Sequence, residues 1–165
     1  MADQPVIGPA AVFDVDRRLA VASILQEVLV DLIDLSLQGK QAHWNLRGPM
    51  FRELHLLLDE VVEAARDASD QVAERCLALG VAADGRLATV AAGTHLEAFP
   101  EGRIEDHAVT ALVAMRLQTV SQVGRSRLGQ LGELDPVSQD LVNEVLTAIE
   151  KQLWMVEAHR PAERG

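Results

Sequence analysis

Apolar residues recur at three- and four-residue intervals over four long stretches of this chain, the spacing of amphipathic α-helix rather than the alternation of a strand. In the first stretch Leu25, Val28, Leu29, Leu32, Leu35 and Ser36 mark an inward stripe. Asp14 or Asp16 is placed to cap a helix running from there to about Arg47. Gly48 suits the position just past a helix end and Pro49 the first turn of the next. The second helix therefore runs from about Met50 to Leu79, with Gly80 as its stop. A third spans roughly Glu105–Leu131, with Leu112, Met115, Thr119 and Val123 among its inward positions and Gly132 as its end. Asp135-Pro136 opens a fourth, as cap and first helical residue, that continues to about Arg160. Residues 80–103 are too long a connection to stay structureless inside a compact domain. A short helix near Arg86–Ala92, opened by Asp84 and closed by Gly93, is expected there.

Composition supports this reading. Tyrosine is absent and only five residues are aromatic, while the six prolines, at 5, 9, 49, 100, 136 and 161, fall outside the long periodic runs. A length of 165 residues suits one domain with a proper core. Residues 1–13, with two prolines, read as an N-terminal arm, 14–160 as the bundle, and 161–165 as a short C-terminal tail. Four helices with a long connection between the second and third make an all-α, ferritin-like four-helix bundle.

Charge narrows the partners. The formal net charge is −10, and Lys40 and Lys151 are the only lysines. Such a balance favours cations and disfavours nucleic acid unless arginines cluster locally. Arg116, Arg125 and Arg127 are candidates for a basic shell patch, although scattered arginines usually belong to a solvated face. The single cysteine, Cys76, excludes an intrachain disulfide framework and suits a reducing compartment. No apolar run approaches the roughly 18 residues of a membrane span, and the N-terminus lacks the pattern of a secretory signal. The expected location is the cytoplasm, with the nucleoid as a second site.

The chemistry concentrates after Lys40. His55 and Asp59 are four residues apart on the second helix, and so are Asp70 and Glu74. Asp59 and Asp70 return to within about 20° of one face, so all four donors share one stripe. Along the axis, however, these two aspartates stand roughly 16 Å apart, too far to share one ion. Symmetry removes the difficulty. The midpoint of 55 and 74 is also the midpoint of 59 and 70. Two copies of this helix packed antiparallel about a two-fold axis would set His55 opposite the mate's Glu74 and Asp59 opposite its Asp70. Glu63 and Arg66 share that midpoint and either pair across the axis or form an ordinary surface pair. His43, just before the turn, can supply a further ligand. No histidine has Glu three residues before it, which argues against an intrachain Glu-x-x-His di-iron site.

The run His43-Trp44-Asn45-x-x-Gly48-Pro49-x-Phe51-x-x-Leu54-His55-x-x-x-Asp59, followed by Asp70-x-x-x-Glu74-Arg75, resembles the Dps mini-ferritins (DNA-binding proteins from starved cells), as does Glu150-Lys151-Gln152-x-Trp154-Met155. The resemblance covers about residues 20–158. It implies a hollow homo-dodecamer with a short helix between the second and third bundle helices. It also implies ferroxidase sites at two-fold interfaces, with His43, His55 and Asp59 from one chain and Asp70 and Glu74 from its mate. Iron is then both bound metal and substrate, hydrogen peroxide the preferred oxidant, and the ferric product a mineral stored in the cage. The resemblance gives Trp44 a part in quenching radicals, beside a baseline role in packing at the interface. It places Asp135, Asp140 and Glu144 around a three-fold pore, whereas Asp135 is equally well explained as a helix cap.

One family property is not matched. Tails that bind DNA carry Lys or Arg to neutralise phosphates, and this arm has none before Arg17. Direct DNA binding is therefore disfavoured. The competing reading is a non-catalytic, nucleoid-compacting shell with a structural metal site. His95, His107 and His159 receive no function, Cys76 reads as a small buried residue, and Trp154 as core or interface.

Overall fold

A computed structural model describes residues 12–160; the arm assigned to 1–13 lies mostly outside the described residues and the 161–165 tail wholly so. In chain order the elements are α1 (Val15–Asn45), β1 (Leu46–Arg47), α2 (Phe51–Ala78), α3 (Leu87–Gly93), β2 (Ile104–Glu105), α4 (Asp106–Leu134) and α5 (Pro136–Glu157). Four long helices form the bundle, and the short α3 sits in the long connection, as the periodicity indicated. Asp14 caps α1 by accepting from the Arg17 N–H at 2.9 Å. Phe13 lies beneath the Arg17 guanidinium, 4.1 Å from its ring centroid.

The inward stripe of α1 is as read, with Leu25, Leu32 and Leu35 sealed among Val61, Val72, Leu117, Leu131 and Ile149. Each such side chain contributes about 1.5–3 kcal/mol of burial. On α4 the inward face is different. Met115 is half exposed and Leu112, Thr119 and Val123 are only partly covered, whereas Val113, Leu117, Val120 and Gly124 face the core. Two apolar stripes one residue apart run along this helix, and periodicity cannot choose between them. Gly124 settles the choice: a Cβ there would stand 2.8 Å from Leu146 Cδ2, so α4 and α5 pack too closely for a side chain. Nor does Gly132 end α4, which continues to Leu134. Its missing Cβ makes room for Gln139, whose amide donates to the Leu128 carbonyl at 3.0 Å.

The long connection is held by buried polar groups. Asp31, fully buried, accepts from the His95 backbone N–H at 2.7 Å and from its Nδ1 at 3.0 Å. Asp34 accepts from Thr94 Oγ1 at 2.8 Å. Gln26 pairs with both backbone groups of Asp84, at 2.7 and 2.9 Å. His95, to which no function was assigned, thus has a structural one.

The basic shell patch does not form. Arg116 is buried against the Gln38 side chain and the Ala98 carbonyl, Arg125 is bidentate to Glu150 at 2.6 and 2.7 Å, and Arg127 is paired with Glu27. Among the described residues no helix is long and apolar enough to cross a membrane.

Asp135 ties the ends of α2, α4 and α5 together. It is 1% exposed, accepts from the Val137 N–H and the Ser138 hydroxyl, and meets Arg75 of α2 at 2.6 Å. Burial alone would raise its carboxyl pKa; the hydrogen bonds from Ser138 and Arg75 and the Arg75 charge outweigh this and hold it below the usual carboxylate range. Asp135→Ala is expected to cost about 2–4 kcal/mol, from the stranded Arg75 and the lost cap, measured as a lower midpoint of denaturant unfolding. Because the folded pKa is depressed, this stabilisation is complete above the unfolded value of about 3.9 and disappears as pH falls through the folded one. The difference between parent and variant therefore closes in acid.

Candidate metal centre

Helix α1 ends on the residues that begin the site, and the chain reverses through Leu46–Met50 into α2. Gly48 takes φ +135°, a conformation that L side chains rarely adopt, which is why a glycine stands there. The reversal brings His43, in the last turn of α1, over His55, one turn into α2. Their rings stack with centroids 3.6 Å apart at 24°. Each Nδ1–H donates to the other residue's backbone carbonyl, His43 to His55 at 2.9 Å and His55 to His43 at 3.1 Å. A carbonyl only accepts, so each Nδ1 carries a proton, and Nε2 is the nitrogen through which each imidazole can bind a metal. Phe51 stacks against His55 at 5.0 Å.

Asp59 lies one turn beyond His55, with its side chain nearly half exposed. Its Oδ1 accepts from the Lys40 ammonium and stands 3.3 Å from His43 Nδ1. The Lys40 hydrogen bond, together with nearby positive charge, holds the Asp59 carboxyl below the ordinary carboxylate value. Lys40 and Phe51 were not read as site residues. A signal for Lys40 existed: one of only two lysines in the chain sits three residues before His43, on the same helix face.

The remaining residues fall elsewhere. Asp70 and Glu74 are exposed further along α2, as are Glu63 and Arg66 at its middle. Among the described residues of one protomer, no three His, Cys, Asp or Glu side chains converge on a metal position. One chain thus presents His43, His55 and Asp59 at one end of α2 and Asp70 and Glu74 toward the other. Trp44 and Trp154 are each 68% exposed, so Trp154 is not part of the protomer's core. Cys76 is buried, and burial pushes its thiol up to about 11, leaving it inert. Of the two readings of Asp135, the structure shows the cap: its carboxylate is sealed against the Val137 N–H and the Arg75 guanidinium. Asp140 and Glu144 are exposed one turn apart on α5.

A four-helix bundle with a short helix in its long crossover, and with imidazole and carboxylate donors on facing helices, defines a ferritin-like protein. A family model described as Ferritin-like domain matches residues 22–161. The chain is 39% identical over 147 residues to the DNA protection during starvation protein of Agrobacterium fabrum, covering 87% of this chain and 90% of that one. It is 38% identical over 134 residues to DNA protection during starvation protein 2 of Deinococcus radiodurans, covering 81% of this chain but spanning only 56% of that longer protein. The structure of Dps from Microbacterium arborescens in its high-iron form superposes with a TM-score of 0.84 at 34% identity, covering 88% of this chain and 95% of that one. The chain belongs to the Dps family of mini-ferritins, within the ferritin-like fold.

Lys40→Met removes the cation that favours the Asp59 carboxylate. The Asp59 carboxyl of the metal-free protein should therefore titrate at higher pH than in the parent, as followed by carboxyl ¹³C NMR.

Proposed function

We propose that this protein stores and detoxifies iron, oxidising Fe(II) at sites built between two protomers of a dodecameric cage. The observation that carries the reading is the reciprocal Nδ1–carbonyl locking of His43 and His55, which fixes both rings and leaves both Nε2 atoms outside that pairing, with the Asp59 carboxylate 3.3 Å from His43 Nδ1. Two imidazoles with carboxylates suit iron. An antiparallel mate would bring its Asp70 and Glu74 to this half-site. The exposed apolar residues beside it, Trp44 and Leu56, supply surface for such an interface. Trp44 packs there and is also placed to give up an electron to a stray radical.

Hydrogen peroxide is the preferred oxidant in this reading. Two Fe(II) ions each give one electron, the O–O bond breaks, two protons are taken up, and two waters leave with no hydroxyl radical released. Asp140 and Glu144 form an acidic entry for ferrous ions, and the ferric product mineralises inside. The relatives are named for DNA protection. With a net charge of −10 and its shell arginines paired, this chain would protect DNA in the cytoplasm by removing peroxide and ferrous iron rather than by coating the duplex.

The test is anaerobic ferrous loading of the purified assembly, then peroxide, followed by ferric absorbance. Asp59→Ala and Glu74→Ala should each slow oxidation by at least about tenfold, the scale of losing one ligand. In a dimer mixing the two variants, one site lacks both residues and the other is intact, so co-assembly should restore part of the activity. No recovery in verified mixed dimers would exclude a site shared between chains. No peroxide-dependent oxidation in the parent would leave the non-catalytic shell as the surviving reading.

A further inference from the structure

We infer that Asp106, at the start of α4, is a positioning residue for the His43–His55 pair, holding the α1–α2 reversal through its backbone. The inference rests on the metal-centre reading above and adds to it a residue that touches neither ring.

Two sets of contacts close the reversal. One is the pair of histidine–carbonyl bonds. In the other, the Asp106 carboxylate accepts from the Met50 backbone N–H at 2.9 Å and from the His107 N–H at 2.7 Å. It lies directly over Gly48, where a Cβ would come within 2.4 Å of Oδ2 and 2.5 Å of Cγ. Asp106 itself is 8% exposed. Around this contact, Leu46 pairs with Ile104 and Arg47 with Glu105 in a two-residue parallel bridge, and the Arg47 guanidinium meets the Glu105 carboxylate at 2.7 Å.

His43 is three residues before this bridge, and His55 is five residues after Met50. The separation and tilt of the two rings therefore depend on how the end of α1 meets the start of α2. At the middle of that junction, the side chain that grips the backbone comes from α4. Met50 has no side-chain cap of its own to offer α2, so Asp106 also satisfies an N–H that the start of α2 leaves over. Displacements near 1 Å at a site's supporting shell are enough to weaken it.

The carboxylate is required because both of its partners donate. Asparagine can accept from one of them but must turn its own NH₂ toward the other. Asp106→Asn should thus be intermediate and Asp106→Ala severe. Asp84→Ala is the control: it loosens the α3 connection, through Arg86 and Thr89, without touching the reversal.

Two readouts separate positioning from general loosening. In the metal-free assembly, the Nδ1–H protons of His43 and His55 should resist exchange in the parent and in Asp84→Ala, exchange faster in Asp106→Asn, and be lost to exchange in Asp106→Ala, by ¹⁵N-histidine NMR. In anaerobic Co(II) titrations, affinity at the site should fall by at least about tenfold in Asp106→Ala and less in Asp106→Asn, with helicity and assembly unchanged. Protected Nδ1–H protons and parental Co(II) affinity in Asp106→Ala would overturn the inference, as would equal losses in Asp84→Ala. If the parent neither binds Co(II) nor oxidises iron, the proposed function falls, and the exchange measurement still decides whether Asp106 positions the rings.

Discussion

The two hydrogen bonds exchanged between His43 and His55 set what the rest of the site can be. Each ring's Nδ1–H donates to the other's main chain, so the side chains of the candidate metal centre also staple the end of α1 to the start of α2. A change in either helix axis would move both rings together. The bundle supplies the rigidity behind that staple: α1 buries its stripe against α2 and α4, while the Asp135–Arg75 pair ties the far end of α2 to the α4–α5 junction. The site is therefore located by elements anchored at both ends, and the non-helical part of the reversal, Leu46–Met50, is only a few residues long.

The same economy explains where the chain places its buried charge. Asp31 and Asp135 sit in the interior with both carboxylate oxygens accepting hydrogen bonds, and both hold irregular segments to regular ones. Asp106 does likewise at the reversal. In each case an acidic side chain accepts backbone N–H groups that helix ends and loops leave unpaired, so the polar cost of making a turn near the core is met locally.

How much of this was legible in the sequence follows from what periodicity can carry. The inward stripe of α1, the Gly48-Pro49 break, the cap at Asp14, the short helix in the crossover and the Asp135-Pro136 start were readable, because each is a local pattern with a local cause. The juxtaposition of His43, His55 and Asp59 was readable because a break between two strong helices fixes their neighbours. The inward face of α4 was not: it carries two apolar stripes, and the choice rests on close packing at Gly124. Gly132 looked like a stop because glycine usually is one, whereas here it clears space for Gln139. Lys40 and Asp106 act across the reversal, from three and from more than fifty residues away, and no spacing rule connects the latter to the histidines.

The Lys40 ammonium on Asp59 has a consequence for assembly of the protomer itself. A carboxylate beside two imidazoles would otherwise sit unneutralised in a partly covered place. Lysine supplies a single positive charge on a long, flexible stem, a compact point charge that costs the reversal little room. The end of α1 and the start of α2 are thereby drawn together by a charge pair that the protomer forms from its own residues, so this corner of the bundle can fold without outside help.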